Sequence, residues 1–427
     1  MLREGALGAD LLIAHMADIH LGARKYGEKA IYDDVAQAFE ESLEEVVRER
    51  ARYLVVAGDL FDSPHPDNGV LAFAVRRLRE LTSRGVKVVA ARGEHDTPGR
   101  REPSPLDVLA EAVEGFYAPG PGQKAKPDDI VSSTTLKFEG IAFLVYPFFK
   151  TSAEERKSIY ANSLRPAYER ASRELRSEGL KTVFVAHFAV DPIFRYDAVA
   201  AVSELPTVDY VALGHVHRRC LRCVVPPGRE DLWFAYPGSL YPLDVNESAE
   251  EHKRGPIFVD LSAKEPSITE ADVRVRRHFV VQAEVRDPKD VDREIRASVS
   301  KISRAPGEKE PLVHIKLNVG VKVPARLIEL AASRIARERG LILIPHMTRI
   351  PEEEAERGVS RQATGRESLN PIDVFREELR LDEFTAKLLS ELIVAASEGD
   401  EEGVEGVLDK LASWPKSLEQ LRGLISQ

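Results

Sequence analysis

Residues 53–62 read YLVVAGDLFD, an apolar run that ends in Gly58-Asp59. The run predicts a buried parallel strand, because such strands are covered on both faces and contain few polar residues. Gly58 permits the sharp backbone turn that ends the strand. Asp59 is therefore predicted at the carboxyl end of a strand, which is where open α/β sheets hold their ligands.

Four other predicted strands end in the same way, with side chains that commonly bind metal ions. A lone histidine at a strand end is usually structural, but five of the chain's eleven histidines lie at these ends, which chance hardly explains. Because the carboxyl ends of parallel strands meet at one edge of a sheet, we expect these side chains to converge. The four ends are Asp18-Ile19-His20, Gly93-Glu94-His95-Asp96, His187 and Gly214-His215-Val216-His217.

The types of ligand indicate the chemistry. Imidazole and carboxylate without thiolate suit Mn²⁺, Fe or Zn²⁺, and these ligands are too numerous for one tetrahedral ion. Asp59 lies near the middle of the set and can bridge two ions, which together stabilise the attacking and leaving oxygens of a phosphoryl displacement. His95 lies just beyond the inner ligands and is a candidate to protonate the leaving oxygen.

The ordered series of motifs resembles the signature of the calcineurin-like metallophosphoesterases over residues 9–275. Within that superfamily, ADIHLG at 17–22 and GDLFD at 58–62 resemble the SbcD-type double-strand-break repair nucleases, the Mre-eleven family. The resemblance implies an α/β fold with a four-layer metallophosphoesterase core, in which helices flank two stacked mixed β-sheets. An α+β cap domain and a C-terminal helical docking module would follow the core.

The resemblance also implies a role for each ligand in a site with two Mn²⁺ ions, for which other divalent ions could substitute. His95 would be the acid that contacts the scissile phosphate. Glu94 departs from the family, which usually has asparagine at this position. Its extra negative charge beside Asp59 and the phosphate predicts an altered metal preference or a lower nuclease rate. One ion would be held by Asp18, His20, Asp59 and His217, and the other by Asp59, Glu94, His187 and His215.

Local patterns divide the chain into four segments. Strands and amphipathic helices alternate from residue 9 to residue 92, and shorter closing strands are predicted at 232–235, 257–261 and 273–276. A second alternation of strand and helix follows, and then a charged stretch that is nearly free of large apolar residues, as is typical of a linker. The predicted segments are 1–276 (nuclease core), 277–350 (α+β cap that shapes DNA access), 351–369 (flexible linker) and 370–427 (docking module).

The last segment begins with Asn370-Pro371, a strong helix start because asparagine caps the helix and proline fits its first turn. So short a segment buries little apolar surface by itself, which predicts a docking surface; the alternative is packing against the cap. The resemblance implies that the partner is a coiled-coil ABC ATPase of the Rad-fifty/SbcC type. The predicted docking residues are Ile372, Phe375, Leu379, Phe384, Leu388 and Leu392.

The net charge of −10 argues against bulk coating of nucleic acid, although it does not exclude a local basic groove. Arginines close to the ligand motifs and to the junction of core and cap are candidates to contact a phosphate backbone. The alternative is that they are ordinary solvated side chains. The candidate DNA-binding residues are Arg24, Arg100, Arg218, Arg219 and Arg276.

Cys220 and Cys223 follow His215 and His217 at a spacing that could in principle bind one Zn²⁺ ion. The phosphoesterase interpretation already uses both histidines, so we expect free thiols or, if the source is thermophilic, a disulfide. The small number of cysteines, the absence of an apolar run long enough for a membrane span and the polar N-terminus predict a cytoplasmic, nucleoid-associated protein without a membrane partner.

The predicted function is Mn²⁺-dependent exonuclease and endonuclease cleavage of DNA ends in double-strand-break repair. One alternative is a phosphomonoesterase or protein phosphatase of the same superfamily. Another is a non-catalytic or weakly active scaffold that binds DNA ends for the ATPase. The resemblance also implies a homodimer, for which the apolar faces of 67–83 and 105–116 are candidate surfaces.

Overall fold

The computed structural model describes residues 11–99, 102–120, 126–225, 227–250, 253–350, 385, 387–392, 407 and 410. Contacts divide the chain into two units, Met1–Glu352 and Glu353–Gln427. Within the described residues, no helix combines the length and the hydrophobicity that a membrane crossing requires.

The first unit alternates strands and helices along the chain. Its strands are β1 (Leu12–Met16), β2 (Tyr53–Ala57), β3 (Lys87–Ala91), β4 (Phe116–Tyr117), β5 (Thr135–Phe138), β6 (Ile141–Val145), β7 (Lys181–His187), β8 (Ala189–Asp191), β9 (Ala198–Ala201), β10 (Tyr210–Gly214), β11 (Cys220–Leu221), β12 (Phe234–Tyr236), β13 (Ile257–Asp260), β14 (Ser267–Glu270), β15 (His278–Val285), β16 (Leu312–Gly320) and β17 (Ile342–Ile350). Its α-helices are α1 (Lys29–Arg48), α2 (Asn68–Ser83), α3 (Pro105–Ala112), α4 (Pro127–Ser133), α5 (Ala153–Ile159), α6 (Arg165–Ser177), α7 (Val291–Ser298) and α8 (Ala325–Arg339).

Two six-stranded mixed sheets form the centre of this unit. The first has the strand order β14-β13-β1-β2-β3-β4, and the second has the order β11-β12-β10-β7-β6-β5. Strands β1 to β4 run parallel in the first sheet, and β6, β7, β10 and β12 run parallel in the second. Antiparallel strands complete the edges. Because parallel neighbours need crossover connections, helices cover the outer faces of such sheets.

The apolar residues of β2 show how the layers are built. Val55 and Ala57 pack in the cluster between the two sheets, whereas Leu54 and Val56 pack in the cluster beneath α1 and α2. This alternation follows from the two-residue period of a strand. On the far side, Tyr168 of α6 belongs to the cluster that covers the second sheet. The predicted four-layer core is confirmed.

The boundaries of several elements differ from the sequence prediction. The helices α4 and α5 were not predicted, because each has only 7 residues and is too short to carry a long amphipathic stripe. The strand predicted at 273–276 is wrong: the edge strand is β14, which pairs with β13. Most of β14 is exposed, so it carries almost no hydrophobic signal.

The cap segment contains a separate three-stranded sheet in which β15, β16 and β17 run parallel. Ile315 of the central strand packs with Ile295 of α7 and Ile328 of α8. Leu312 and Ile344 belong instead to the helix-side cluster of the core. The segment is therefore an α/β unit packed against the core, rather than the predicted α+β unit, and its boundary at residue 277 stays a prediction.

The second unit is described at residues 385, 387–392, 407 and 410. Leu388 and Val407 are buried there, and Leu389 and Leu392 pack against them. The docking role of this unit stays a prediction. The predicted linker 351–369 and the predicted docking residues Ile372, Phe375, Leu379 and Phe384 lie outside the described residues.

Candidate metal centre

The predicted ligands lie at the carboxyl ends of strands from both sheets. Asp59 follows β2 in the first sheet, and His187 ends β7 in the second. The sheets approach closely here, since a Cβ atom at Gly214 would lie only 1.9 Å from the carbonyl oxygen of Ala57. A side chain at position 214 would separate the two sheets and the ligands that they carry.

Several ligands have a left-handed backbone, which costs non-glycine residues roughly 1–2 kcal/mol each. Gly58 precedes one of them with a φ of 90°, and a Cβ there would lie 2.2 Å from His187 Nδ1. Such strain is concentrated at functional sites, where it directs side chains that a regular strand would point elsewhere. The predicted ligands with this conformation are Asp18 (φ 52°), His20 (φ 52°), Asp59 (φ 50°) and His215 (φ 85°).

Three overlapping groups of side chains among the described residues could each hold a metal ion. Within each group, the candidate ligand atoms lie within 4.8 Å of one another. Asp18 and His20 each belong to two groups, so the three form one continuous cluster. The groups are Asp18, His20 and His217; Asp18, Asp59 and His187; and His20, Asp62 and His95.

Asp59 lies between histidines of different groups. Its Oδ2 atom is 3.2 Å from His187 Nε2 and 4.0 Å from His20 Nε2. Its Oδ1 atom accepts a hydrogen bond from the backbone N–H of His95 at 3.0 Å. This position is the one that a bridging carboxylate requires.

Backbone carbonyls determine which nitrogen of two histidines carries the hydrogen. His187 Nδ1 donates to the carbonyl oxygen of Ala57 at 2.8 Å, and His95 Nδ1 donates to that of Asp62 at 3.0 Å. Because a carbonyl oxygen only accepts, Nε2 of each neutral ring is left with a free lone pair. Nε2 of His187 faces Asp59, and Nε2 of His95 remains available to a substrate.

Two carboxylates that the sequence did not reveal hold two further histidines of the centre. His217 Nδ1 lies 2.8 Å from Glu247 Oε1, and His215 Nε2 lies 3.3 Å from Asp197 Oδ2. Arg156 holds Asp197 through two hydrogen bonds of 2.8 and 2.9 Å. Carboxylates in such positions orient metal-binding imidazoles and increase their basicity. No local motif marks either acid.

The charges of the centre are strongly coupled. Burial opposes protonation of His187 and His217, but the Asp59 carboxylate raises the pKa of His187 to about 10, and Glu247 raises the pKa of His217 to about 9. Burial alone would raise the pKa of Asp59, but the facing His187 holds that pKa well below its usual range. Without a metal ion, the centre therefore holds protons that an ion must displace.

Two buried nitrogens test whether the centre fits a metal ion. His187 Nε2 lies 3.2 Å from Asp59 Oδ2 and His20 Nδ1 lies 3.2 Å from Asp62 Oδ1, but both nitrogens are buried and neither contact has the geometry of a hydrogen bond. Buried polar atoms nearly always have a partner, and unpartnered imidazole nitrogens beside carboxylates suit divalent Mn, Fe or Zn. The residues present therefore fit the predicted ions.

The structure leaves two predicted ligands outside the three groups. The Glu94 side chain is 43% exposed, and its Oε1 lies 3.7 Å from His95 Nε2. His215 also belongs to none of the groups found among the described residues. Asp62, by contrast, joins His20 and His95 although it was not a predicted ligand. The ligand roles of Glu94 and His215, like those of the other predicted ligands, stay predictions.

Asp96 is a buried acid at the centre whose role the sequence did not reveal. Its carboxylate accepts backbone hydrogen bonds from Leu60, Phe61 and Gly93, which ties the turn after β2 to the turn after β3. Burial and then the Asp59 carboxylate raise the pKa of Asp96 to about 6.

The candidate DNA-binding arginines differ in their surroundings. The Arg219 side chain is only 5% exposed; it donates to the carbonyl oxygen of Pro237 and forms a 2.9 Å ion pair with the partly exposed Glu270. Arg276 forms a 2.5 Å ion pair with the buried Asp34. Both act first as links within the protein. The exposed candidates are Arg24 and Arg218, and Arg100 lies outside the described residues.

Cys220 and Cys223 form a disulfide, one of the two states predicted for them. Their sulfurs are therefore not thiolate ligands, so these two cysteines do not form a zinc site with His215 and His217.

Comparison with known proteins identifies the family. Residues 11–219 match the calcineurin-like phosphoesterase family. The DNA double-strand break repair protein Mre11 of Aeropyrum pernix is 32% identical, over 94% of this chain and 96% of its own length. The chain belongs to the Mre11 family.

Two further Mre11 proteins match over nearly the whole chain. That of Sulfolobus acidocaldarius is 24% identical over 94% of this chain and 98% of its own length. That of Archaeoglobus fulgidus is 25% identical over 96% of this chain and 91% of its own length. The predicted membership of the Mre11 family and the metallophosphoesterase core are confirmed.

Proposed function

We propose that this protein is a two-metal, Mn²⁺-dependent DNA nuclease that acts at DNA ends in double-strand-break repair. The observation that supports this most is the continuous cluster of three overlapping ligand groups that share Asp18 and His20. The relatives that match over 94% of this chain are named as DNA double-strand break repair proteins, which supports a role in that process.

The side chains divide the chemistry between them. Bound divalent ions would activate a water molecule and offset the charge of the phosphodiester. Asp18, His20 and His217 would hold one ion and His187 the other, and Asp59 would serve both. The Nδ1–H group of His95 donates to the carbonyl oxygen of Asp62. The other ring nitrogen, Nε2, can therefore carry the proton that is donated to the leaving oxygen.

The test compares cleavage of linear DNA with turnover of p-nitrophenyl phosphate, each with and without Mn²⁺. We expect DNA cleavage that requires Mn²⁺ and falls about 10²-fold or more in His95→Gln, the usual contribution of a general acid. His65→Gln is the control, since His65 is an exposed histidine outside the three groups. Turnover of p-nitrophenyl phosphate without DNA cleavage would indicate a phosphomonoesterase instead.

A second candidate function is a weakly active scaffold that binds DNA ends. The exposed Glu94, which stands outside the ligand groups where the family usually has asparagine, favours it. This candidate predicts binding of DNA ends without Mn²⁺-dependent cleavage.

The proposed partners are a coiled-coil ABC ATPase of the Rad-fifty/SbcC type and a second copy of the chain. The apolar packing of Leu388 with Leu392 and Val407 is consistent with a folded docking helix. Deleting residues 370–427 should abolish ATPase binding and spare the core nuclease. Retained ATPase binding would refute the docking role.

A further inference from the structure

The loop at residues 192–197 lies beside the metal centre and is held at both ends. It connects β8 to β9, and these two strands pair with each other in parallel. At its start, the backbone N–H groups of Ile193 and Phe194 both donate to the carbonyl oxygen of Val190 at 3.0 Å. At its end, Asp197 is held by the two hydrogen bonds from Arg156. The loop is therefore fixed at both ends.

The middle of this loop presents aromatic rings to solvent. Phe194 is 43% exposed and Tyr196 is 57% exposed, and Tyr26 is the other strongly exposed aromatic residue among those described. Arg195 stands between the two rings, with an exposed side chain whose ion pair to Asp191 is also exposed. Exposed ion pairs are weak, so this guanidinium can exchange its partner for a phosphate.

The loop is close to the predicted ligands. The Phe194 ring lies 6.5 Å from the His215 ring, at an interplanar angle of 90°. Asp197 lies 3.3 Å from Nε2 of the same histidine. A strand whose phosphate lies at the metal centre would therefore come within reach of this loop.

We propose that Phe194 and Tyr196 form a stacking platform for unpaired bases of the DNA strand whose backbone enters the metal centre. The inference rests on the proposed nuclease function and adds the form of the substrate, a strand that is locally single-stranded. Aromatic rings with an interleaved arginine bind unpaired bases through stacking, because every base presents a π-face. In a duplex the bases are stacked on one another, so the rings discriminate single strands and frayed ends from paired DNA.

The experiment uses the full-length protein and a short single-stranded oligodeoxynucleotide that carries one 2-aminopurine, with Ca²⁺ present in place of Mn²⁺. Stacking quenches 2-aminopurine fluorescence, which reports the contact independently of cleavage. We expect quenching with the wild type, and a Kd about 10-fold or more higher in Phe194→Ala/Tyr196→Ala, the usual effect of losing base–aromatic stacking. Phe194→Trp should retain the binding.

Leu330→Ala is the matched control, since Leu330 is an exposed apolar residue on α8. It should bind the oligonucleotide like the wild type, and the alanine variants should bind a blunt duplex like the wild type. A second oligonucleotide carries an abasic site next to the 2-aminopurine. The wild-type protein should bind it more weakly, which tests stacking without any change in the protein. Equal losses for single strand and duplex, or no loss, would overturn the inference.

Cleavage by the wild type separates this result from the proposed function. If the wild type cleaves DNA with Mn²⁺ and the alanine variants still bind and quench normally, only the stacking inference fails. If the wild type cleaves no DNA, the proposed nuclease function fails.

Discussion

Replacing Glu247 with Gln should weaken Mn²⁺ binding, although Glu247 is not itself a predicted ligand. Its Oε1 atom lies 2.8 Å from His217 Nδ1, and its Oε2 atom accepts from Ser239 Oγ at 2.6 Å. Glutamine has nearly the same shape and can keep one of these bonds, so the change mainly removes the charge. Losing a carboxylate that orients a metal-binding histidine typically weakens affinity about 10- to 100-fold, or about 1.4 to 2.7 kcal/mol.

The same substitution should change the number of protons that metal binding releases. The pKa of His187 is raised to about 10 and that of His217 to about 9, so both rings carry an extra proton at neutral pH when no metal is bound. An ion must displace both, so about two protons are released and affinity falls as the pH drops below these values. Without the Glu247 charge, the pKa of His217 falls, and the number of protons released on metal binding drops from about two towards about one.

Titration calorimetry in two buffers of different ionisation enthalpy measures the affinity and the proton count together. The control is Asp34→Asn, which removes another buried carboxylate that contacts Arg276 and Tyr241 and belongs to none of the ligand groups. It should bind Mn²⁺ like the wild type. Wild-type affinity and proton release in Glu247→Gln would refute the reasoning, and so would an equal loss of affinity in Asp34→Asn.

Four other substitutions test particular residues. Asp59→Asn should remove both ions together, because Asp59 lies between His187 and His20; elemental analysis that still finds one tightly held ion would contradict a bridging role. Glu94→Asn should raise the nuclease rate and change Mn²⁺ affinity, since it removes a negative charge beside the phosphate site; kinetics and calorimetry identical to the wild type would exclude Glu94 as a ligand. Arg218→Ala should weaken DNA binding and reduce the slope of log affinity against log salt by about 1. Arg219→Ala should instead cost about 1–3 kcal/mol in the free energy of unfolding, because the carbonyl oxygens of Pro237 and Gly255 lose the guanidinium that donates to them; a changed salt slope with unchanged stability would reverse these two assignments.

Local sequence was sufficient for the parts of the structure that depend on neighbouring residues. The strand before Asp59 could be predicted because an apolar run followed by glycine specifies a buried strand and its end. The convergence of Asp18, His20 and His187 followed from a general rule, since parallel strands present their carboxyl ends at one edge. The exposed edge strand β14 could not be found in this way, because its residues lack the apolar alternation that marks a strand.

The sequence by itself determined the family, the layered core and the ligand types, because each depends on motifs of a few adjacent residues. Only the tertiary structure decided which nitrogen of each histidine is free, since the groups that hold the rings are distant in the chain: 30 residues separate His217 from Glu247, and 130 separate His187 from Ala57. It also decided that Arg276 pairs with Asp34 across 242 residues of chain. Such pairings leave no periodic pattern, because a hydrogen bond or an ion pair requires proximity in space and imposes no spacing along the sequence.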